Sequence, residues 1–372
     1  MSRVARVGLM SGAVVTAIVV SGALPAAAVA STTSVVSAAP NGANADSGSY
    51  DSSVSADGRY VAFESDASNL VAGDTNGVSD VFVRDMSTGT VVRVSVDSAE
   101  AEGDATSYDP SISADGRYVA FWSNATNLVA SDTNGFSDVF VRDRTLDTTV
   151  RVSVDSAESQ GDLRSSYPSI SADGRYVAFW STATNLVAVD TNGFSDVFVR
   201  DLTDGTTVLV SVNSLGVQGN FGSYEPSISA DGRYVAFWSP ATNLVAVDTN
   251  GFSDVFVRDL TDGTTVLVSV NSLGVQGNFG SFDPSISADG RYVAFDSAAT
   301  NLTTVTDPPV SSCDADGPTY ADDTLCFFDV FLAGSPAELP PTGGNPAGVV
   351  LVAVVLLGAG TCVLGLRRAR TA

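Results

Sequence analysis

A nine-residue string recurs five times along this chain at a constant spacing of 58 residues. It reads Ser-Ala-Asp-Gly-Arg-Tyr-Val-Ala-Phe, and its aspartates are Asp57, Asp115, Asp173, Asp231 and Asp289. Regular repetition constrains the fold strongly, because each copy must form the same small unit and bury its apolar surface against the next copy. The sequence therefore predicts one array of five equivalent units in the middle of the chain.

Each unit carries the pattern of four short β-strands. In the second unit, the Asp-Gly pair at Asp115 and Gly116 separates the strand-like runs 110–113 and 117–123, which is a strong signal for a β-hairpin. Residues 138–143 form a third run, and a tight turn precedes a fourth, as at 207–212 in the third unit. We therefore predict an all-β, five-bladed β-propeller with four antiparallel strands in each blade.

The pattern Ser-x-Asp-Gly-Arg-x-Val-Ala-Phe-x-Ser, repeated across residues 50–332, resembles the TolB-like repeats of β-propellers, also called PD40 or WD40-like repeats. The resemblance implies a propeller over residues 31–334. The chain departs from the family in three ways: Ala stands where Pro usually precedes the Asp-Gly pair, the connection between the second and third strands is long, and the α/β domain of TolB has no counterpart. The resemblance thus implies the fold, and not the envelope-transport role of TolB.

A propeller has to close its ring, because an unpaired edge of a sheet promotes aggregation. Residues 32–37 align with residues 148–153, a fourth strand, when they are shifted by two repeat periods. The fifth unit, in contrast, ends after its third strand at 329–332. We therefore expect residues 32–38 to pair into the fifth blade as its fourth strand and so to close the ring.

The two ends of the chain have the composition of targeting segments. Arg3 and Arg6 precede an apolar run and a stretch of small residues that ends at Ala30, which predicts a secretory signal peptide at 1–30. Residues 348–366 form an apolar, transmembrane segment just long enough to cross a bilayer, and a basic tail follows at 367–372.

A five-residue motif stands between a short linker at 335–338 and that apolar segment. Its residues are Leu339, Pro340, Pro341, Thr342 and Gly343. The motif at 339–343 resembles the LPxTG sorting signal of Gram-positive surface proteins. The resemblance implies that a sortase cleaves after Thr342 and joins it to peptidoglycan, which leaves the mature protein secreted and anchored to the cell wall. An ordinary C-terminal membrane anchor is the alternative, and it too places the propeller outside the cytoplasm.

Two of the three cysteines, Cys313 and Cys326, bracket an insertion between the second and third strands of the fifth unit. An even pair in a secreted chain predicts a disulfide. The alternative, a metal site built on the two thiolates, lacks further Cys or any His to complete it.

The charge of the chain narrows the chemistry. It has no His and no Lys, so its 18 basic residues are all Arg, and they face 42 acids for a net charge of −24. Triads that use His, metal sites that use His, and Lys bases are excluded. Nucleic acid is excluded as a partner because phosphate binding needs clustered cations. Metal ions or basic partners are favoured.

Acids recur in the loop between the second and third strands of four units, in the pattern Asp-Thr-Asn-Gly-x-Ser-Asp. Oxygen ligands at alternate positions around a glycine suit a hard cation such as Ca²⁺, although Asp and Asn also form turns of this kind without a metal. The candidate ligands are Asp74, Asn76, Asp80, Asp132, Asn134, Asp138, Asp190, Asn192, Asp196, Asp248, Asn250 and Asp254. The fifth unit keeps only Asp329 of this pattern, so we expect no equivalent fifth site.

A second set lies at the start of each first strand, the innermost strand of a blade. It comprises Asp51, Asp109, Tyr167, Glu225 and Asp283. These side chains are expected to ring one mouth of the central channel and to bind a cation or a basic group of a ligand; solvated acids at strand starts are the alternative. A neighbouring repeated position holds Glu64, Trp122, Trp180, Trp238 and Asp296, where tryptophans either pack between blades or stack on sugars.

The sequence favours a binding or interaction module over an enzyme. Its partner would be a wall polymer, a small ligand or a protein. Some five-bladed propellers are glycoside hydrolases, which need two carboxylates in unequal surroundings. Residues 183–223 and 241–281 are identical, so the copies offer equal surroundings except at Glu64, Glu225, Asp296 and the cysteine loop. A hydrolase of the glycosidase type and a purely structural wall protein are the alternatives.

Overall fold

The computed structural model describes residues 33–303 and 328–334. These residues form nineteen β-strands in five antiparallel sheets, and each sheet takes its strands in chain order. The first sheet, blade 1, holds β1 (Ser49–Val54), β2 (Tyr60–Ser65), β3 (Asp80–Asp85) and β4 (Val91–Arg93). Blade 2 holds β5 (Ser107–Ile112), β6 (Tyr118–Ser123), β7 (Asp138–Asp143) and β8 (Thr148–Arg151).

The remaining blades repeat this order. Blade 3 holds β9 (Ser165–Ile170), β10 (Tyr176–Ser181), β11 (Asp196–Asp201) and β12 (Thr206–Leu209). Blade 4 holds β13 (Tyr224–Ile228), β14 (Tyr234–Ser239), β15 (Asp254–Asp259) and β16 (Thr264–Leu267). Blade 5 holds β17 (Ser281–Ile286), β18 (Tyr292–Ser297) and β19 (Asp329–Gly334). Five successive antiparallel sheets confirm the predicted all-β, five-bladed fold.

The repeated string forms the hairpin between the first two strands of every blade. In blade 2, Asp115 Oδ1 accepts hydrogen bonds from Ser113 Oγ at 2.6 Å and from the backbone N–H of Arg117 at 2.9 Å. Gly116 follows with a φ of +74°, a conformation that glycine adopts without a steric penalty. The Arg117 guanidinium then donates to Asp143 on β7, which ties the hairpin to the third strand. Local turn chemistry therefore sets the register of each blade.

Successive blades join through the same contacts. In the junction between blades 2 and 3, the backbone N–H of Ala114 donates to the Ala172 carbonyl at 3.0 Å. Gly174 lies against the Tyr118 ring, where an added Cβ would come within 2.1 Å of a ring carbon. The backbone bond recurs from Ala56 to Ala114, from Ala172 to Ala230, and from Ala230 to Ala288. Four equivalent junctions therefore hold the five blades in sequence.

The expected closing strand differs from the structure. Residues 33–38 contain no strand, Thr32 lies outside the described residues, and blade 5 has three described strands. Ala38 instead forms a bridge with Asn44, as Val96 does with Glu102 one repeat later, so the alignment holds for the loop that follows the strand. Arg84 Nη1 donates to the Ala38 carbonyl at 2.7 Å, which fixes this segment on blade 1.

Several expectations fall on segments outside the described residues. These are the signal peptide at 1–30, the Cys313 and Cys326 disulfide, the linker at 335–338, the sorting motif at 339–343, the apolar segment at 348–366 and the tail at 367–372. Across residues 33–303 and 328–334, the structure contains no helix with the length and apolar character needed to span a membrane.

Candidate functional site

Each of blades 1 to 4 places two aspartates, the first half-buried and the second buried, beside the loop between its second and third strands. We call these two residues the loop acid pair; the pairs are Asp74 and Asp80, Asp132 and Asp138, Asp190 and Asp196, and Asp248 and Asp254. The second member begins the third strand and is completely buried in all four blades. Its Oδ1 accepts a short hydrogen bond from a serine that follows the fourth strand, such as Ser153 Oγ to Asp138 at 2.5 Å.

The loop asparagines orient these acids and do not offer their own oxygen to a metal. Asn192 Nδ2 donates to Asp196 Oδ2 at 2.9 Å and to the Gly219 carbonyl at 3.0 Å. Its Oδ1 accepts from the backbone N–H of Phe194 at 2.7 Å. The same arrangement holds for Asn76, Asn134 and Asn250. The asparagines therefore stabilise the turn, as the alternative without a metal predicted. Within the described loops, the aspartates do not hydrogen bond to the turn backbone in this way.

An arginine at the end of the fourth strand lies between the acids in blades 1 and 2. Arg151 places its guanidinium within 3.4 Å of both Asp132 and Asp138, and only 8 % of its side chain is exposed. Arg93 lies within 3.5 Å of both Asp74 and Asp80. A guanidinium thus serves as the counter-ion of two buried carboxylates in each of these blades.

In blade 1 the same guanidinium also contacts Glu102, which comes from the loop that leads into the next blade. The carboxylates of Asp74, Asp80 and Glu102 lie within 4.8 Å of one another, a group that could hold a metal ion. Glu102 also accepts hydrogen bonds from the Thr75 hydroxyl and backbone, and these bonds outweigh its burial and lower its pKa to about 2.

Blades 3 and 4 have leucine at the arginine position, Leu209 and Leu267. No ion pair among the described residues involves either of their loop acid pairs. In blade 3, Gln218 Nε2 donates to Asp190 and to Asp196, each at 2.8 Å. In these two blades, therefore, no arginine of the described residues acts as counter-ion to the same acids.

The acid pair of blade 4 is the less satisfied of the two. Gln276 Nε2 donates to Asp248 Oδ1 at 3.2 Å. The other oxygen, Asp248 Oδ2, is buried and has no hydrogen-bond partner. An ionised carboxylate oxygen without a donor is costly to bury, because the lost hydration is not replaced.

Burial also shifts the titration of these acids. It raises the pKa of Asp196 and of Asp254 to about 6, against the hydrogen bonds from Ser211 and Ser269 that favour the ionised forms. It raises the pKa of Asp190 and of Asp248 as well. Burial likewise raises the pKa of Asp80 to about 6, although Arg93 opposes that rise. Such groups bind a cation readily, because a bound cation favours the ionised form.

Sequence reasoning missed the residues that complete these sites. They are Glu102, Gln160, Gln218 and Gln276 in one set, and Arg93, Arg151, Leu209 and Leu267 in the other. Both sets recur at the 58-residue period, so a column-by-column comparison of the repeats would have found them. The contrast between Arg and Leu in the second set is the signal that distinguishes the blades.

The inner-strand set occupies unusual backbone. Asp51, Asp109, Tyr167, Glu225 and Asp283 all have positive φ values, between 40° and 52°, and each sits at a register shift between the first two strands of its blade. A bulge with this conformation redirects a side chain away from the regular face of its sheet. We call these five residues the mouth cluster.

One end of the mouth cluster gathers three carboxylates. Asp51, Glu64 and Asp109 lie within 4.8 Å of one another and are a second group that could hold a metal ion. Glu64 Oε2 accepts a hydrogen bond from the backbone N–H of Asp109 at 3.1 Å. Burial, together with the two neighbouring aspartates, raises the pKa of Glu64 to about 7.

The other end pairs Glu225 with Asp283. Burial and the neighbouring carboxyl of Asp283 raise the pKa of Glu225 to about 8. The pKa of Tyr167 is raised by burial and then by the charges of Asp109, Glu225, Asp51 and Asp283. The charges of all four acids therefore act on the phenol of Tyr167. This is expected if the first strands of the blades bring these acids near one another.

The tryptophans pack between blades, as the more conservative interpretation predicted. Trp180 is buried and meets Tyr224 of the next blade edge to face at 5.9 Å. Trp238 does the same with Phe282 at 5.1 Å. Two of them also support the mouth cluster, because Trp122 Nε1 donates to Asp109 at 2.5 Å and Trp238 Nε1 donates to Glu225 at 3.0 Å.

Two grooves lie elsewhere, between neighbouring blades on the side of the short turns. One of about 350 Å³ lies between blades 2 and 3 and is lined by Tyr118, Asp143 and Arg175. The equivalent groove between blades 3 and 4 measures about 280 Å³ and is lined by Tyr176, Asp201 and Arg233. Asp143 pairs with Arg117 and Asp201 pairs with Arg175, each at 2.6 Å, so both of these acids have a basic partner.

Comparison with known proteins adds similarity at the level of solved structures. No family model and no curated protein matches the chain. TolB from Acinetobacter baumannii is 18 % identical with a TM-score of 0.41, over 69 % of this chain and 53 % of that protein. A putative TolB from Agrobacterium tumefaciens is 17 % identical with a TM-score of 0.44, over 78 % of this chain and 83 % of that one.

An oligogalacturonate lyase from Vibrio parahaemolyticus is 13 % identical with a TM-score of 0.43, over 77 % of this chain and 62 % of the lyase. The chain thus spans about half the length of the first of these structures. The assignment of blades rests on the sheets described above.

Proposed function

We propose that this chain is a secreted β-propeller that is anchored to the cell wall and binds a partner bearing a cationic group. The observation that carries the proposal is the mouth cluster, in which the charges of four acids from different blades all raise the pKa of Tyr167. Among the described residues, no ion pair involves any of these four acids. A set of acids with no basic partner attracts cations and basic groups through uncompensated charge.

The anchoring part of the proposal rests on the sequence. The signal peptide at 1–30, the sorting motif at 339–343 and the apolar segment at 348–366 stand in the order that sorting requires. Only eight residues, 335–342, separate the last strand, which ends at Gly334, from the cleavage site, so the tether spans at most about 29 Å. A propeller on so short a tether meets wall polymers and other wall proteins before anything more distant.

Calcium is the third part of the proposal. The loop acid pairs present buried carboxylates and no nitrogen or sulfur ligand, a donor set that suits a hard cation. We assign Ca²⁺ a stabilising role there.

Titration of the purified chain with spermidine, as an amine probe, tests the mouth cluster. We expect the double variant Glu225→Gln, Asp283→Asn to bind the probe at least about tenfold more weakly, a loss of about 1.4 kcal/mol. The control is Asp147→Asn, Asp262→Asn, which makes the equivalent amide substitutions at two acids whose side chains are 70 % and 64 % exposed. Equal weakening in both variants would show a non-specific effect of charge and would contradict the proposal.

Cosedimentation with purified peptidoglycan, in calcium and in chelator, tests the choice of partner. We expect the unaltered chain to sediment with the wall material. The Glu225→Gln, Asp283→Asn variant, called the mouth variant, should remain in solution. Retention of the mouth variant at the level of the unaltered chain would assign wall binding to another surface.

A glycosidase is the second candidate, because Glu225 has the raised pKa of a general acid. The neighbouring carboxyl of Asp283, however, lies close enough to contribute to that raised pKa, whereas glycosidases hold their two carboxyls about 5 to 9 Å apart to admit the sugar. Incubation with a panel of polysaccharides, with Glu225→Gln as control, decides the question. Release of reducing sugar by the unaltered chain alone would replace binding by hydrolysis as the function.

A further inference from the structure

We infer that Ca²⁺ binds at the loop acid pairs of blades 3 and 4 and not at those of blades 1 and 2, where an arginine already occupies the position of the cation. The inference rests on the calcium part of the proposed function and is independent of the mouth cluster. It names two sites, one at Asp190 and Asp196 and the other at Asp248 and Asp254.

The first support is an internal comparison within one molecule. In blade 2, the guanidinium of Arg151 lies within 3.4 Å of both acids. Leu209 takes the same place on β12, where it pairs with Phe198 as Arg151 pairs with Phe140 on β7. The acids themselves are retained in blade 3. A position that holds a positive group in one copy and an uncharged one in the next indicates where a free cation would be accommodated.

The second support is independent of the first and comes from blade 4. Asp248 Oδ2 is a buried carboxylate oxygen without any hydrogen-bond partner. Its partner in the pair, Asp254, is completely buried and directs Oδ2 toward Asn250 Nδ2 at 2.8 Å. Native proteins rarely leave such an oxygen unpaired, so this atom indicates a positively charged ligand.

The chemistry of the donors selects the kind of ion. Two carboxylates carry the charge that one divalent cation neutralises, whereas an arginine neutralises half of it. The chain has no His and the described residues include no Cys, so the ligands that the described residues offer here are oxygens. Calcium tolerates irregular oxygen coordination and completes its shell with backbone carbonyls and water, whereas magnesium demands near-ideal octahedral geometry.

The glutamine beside each pair does not neutralise the acids. Gln218 Nε2 bridges both acids of blade 3, and Gln276 reaches only Asp248 in blade 4. A side-chain amide carries the weak positive end of a dipole and no net charge, so it leaves the pair negative. Rotation of the amide by half a turn would present Oε1 to a bound cation and supply a further oxygen ligand.

Equilibrium dialysis of the full chain against calcium, with thermal unfolding measured alongside, tests the inference. We expect two tightly bound ions per chain and a higher melting temperature in calcium than in chelator. Leu209→Arg should remove one ion, and Leu209→Arg with Leu267→Arg should remove both and abolish the thermal shift. The matched controls Leu209→Met and Leu267→Met, which keep the side chains apolar and long, should bind two ions.

The outcomes separate this inference from the proposed function. Calcium binding that persists in the double arginine variant but disappears in Glu225→Gln, Asp283→Asn would place calcium at the mouth cluster and overturn the inference. That result would agree with the proposed cation-binding function. No bound calcium in the unaltered chain would overturn both the inference and the calcium part of the proposal. Should an arginine variant fail to fold, the converse variant Arg151→Leu decides, because it should bind a third ion.

Discussion

Blades 2 and 3 have the same strand topology and the same loop acid pair, yet they balance the charge of that pair differently. Arg151 lies against both acids in blade 2, whereas Leu209 stands at that position in blade 3. The glutamine is common to both, because Gln160 and Gln218 each donate to both acids at 2.8 Å. Because the repeat unit includes these acids, each of blades 1 to 4 contains two neighbouring negative charges. The residue at the Arg151 and Leu209 position determines whether the protein supplies a counter-ion for them.

The largest expected effect comes from converting blade 2 to the composition of blade 3. Arg151→Leu leaves two buried carboxylates without their counter-ion, and removal of one partner from a buried ion pair typically costs about 3 to 5 kcal/mol. Urea unfolding in chelator should show a loss of that size, and calcium should restore most of it.

The control for this variant is Arg59→Leu, which breaks a pair with Asp85 in which the arginine is 46 % exposed. It should lose less than about 1 kcal/mol. An Arg151→Leu protein no less stable than this control would show that the arginine does not balance the pair, and the comparison between the blades would fail.

Stability should depend on pH with a sign set by the buried acids. Burial raises the folded-state pKa of Asp196 and Asp254 to about 6, above the ordinary value of 3.8. Their contribution to the free energy of unfolding is therefore complete below about pH 4 and is lost as the pH rises through about 6. Each group accounts for at most about 3 kcal/mol of that loss, since one pKa unit corresponds to about 1.4 kcal/mol.

Calcium should oppose the loss, because it binds the ionised carboxylates. Urea midpoints measured from about pH 4 to about pH 7.5 should fall steeply in chelator and less steeply in calcium. In the variant Leu209→Arg, Leu267→Arg the two curves should coincide. A calcium effect of equal size in that variant would assign the metal to another part of the protein.

Neutralising one acid should have opposite signs in two blades. Asp132→Asn breaks the ion pair with Arg151 and should lower the free energy of unfolding by about 1 to 3 kcal/mol in chelator. Asp248→Asn removes the charge from a buried oxygen that has no partner, and should leave stability unchanged or raise it by about 1 kcal/mol. Chemical denaturation of both variants, side by side, would give equal losses if blades 2 and 4 balanced their acids in the same way.

The sequence predicts the architecture well because the same pattern of strands and turns occurs in five units. The Asp-Gly turn at Asp115 and Gly116 forms the expected hairpin, and the strand boundaries follow from it. The closing strand at 32–38 was the exception, although the loop after it aligns as predicted through the bridge from Ala38 to Asn44. Alignment places the loop correctly, because Arg84 contacts the Ala38 carbonyl much as Arg142 contacts the Asp97 carbonyl one repeat later, but it does not show whether residues 33–37 form a strand.

The candidate site was predicted only in part. The sequence identified the aspartates of the loop acid pairs from their spacing, but it could not show that Asp138 is buried while Asn134 turns its amide toward it. The deciding residue, Arg151 or Leu209, lies near the other end of the blade sequence and reaches the loop only through strand pairing. Contacts between distant strands therefore carried the information that local motifs lacked.

The smallest expected effect is the reverse conversion, Leu209→Arg in chelator. The new guanidinium gains two buried carboxylates at the distances that Arg151 shows, but the chain loses the apolar packing of Leu209 against the core of blades 2 and 3. An arginine also loses side-chain entropy when it is fixed, so the net gain should be about 1 kcal/mol or less. A higher urea midpoint than that of Leu209→Met would show that the pocket accepts a protein cation where the native chain has none. A lower midpoint would mean that blade 3 has adapted to its leucine, and that its acids are already balanced by the glutamine and by their own protons.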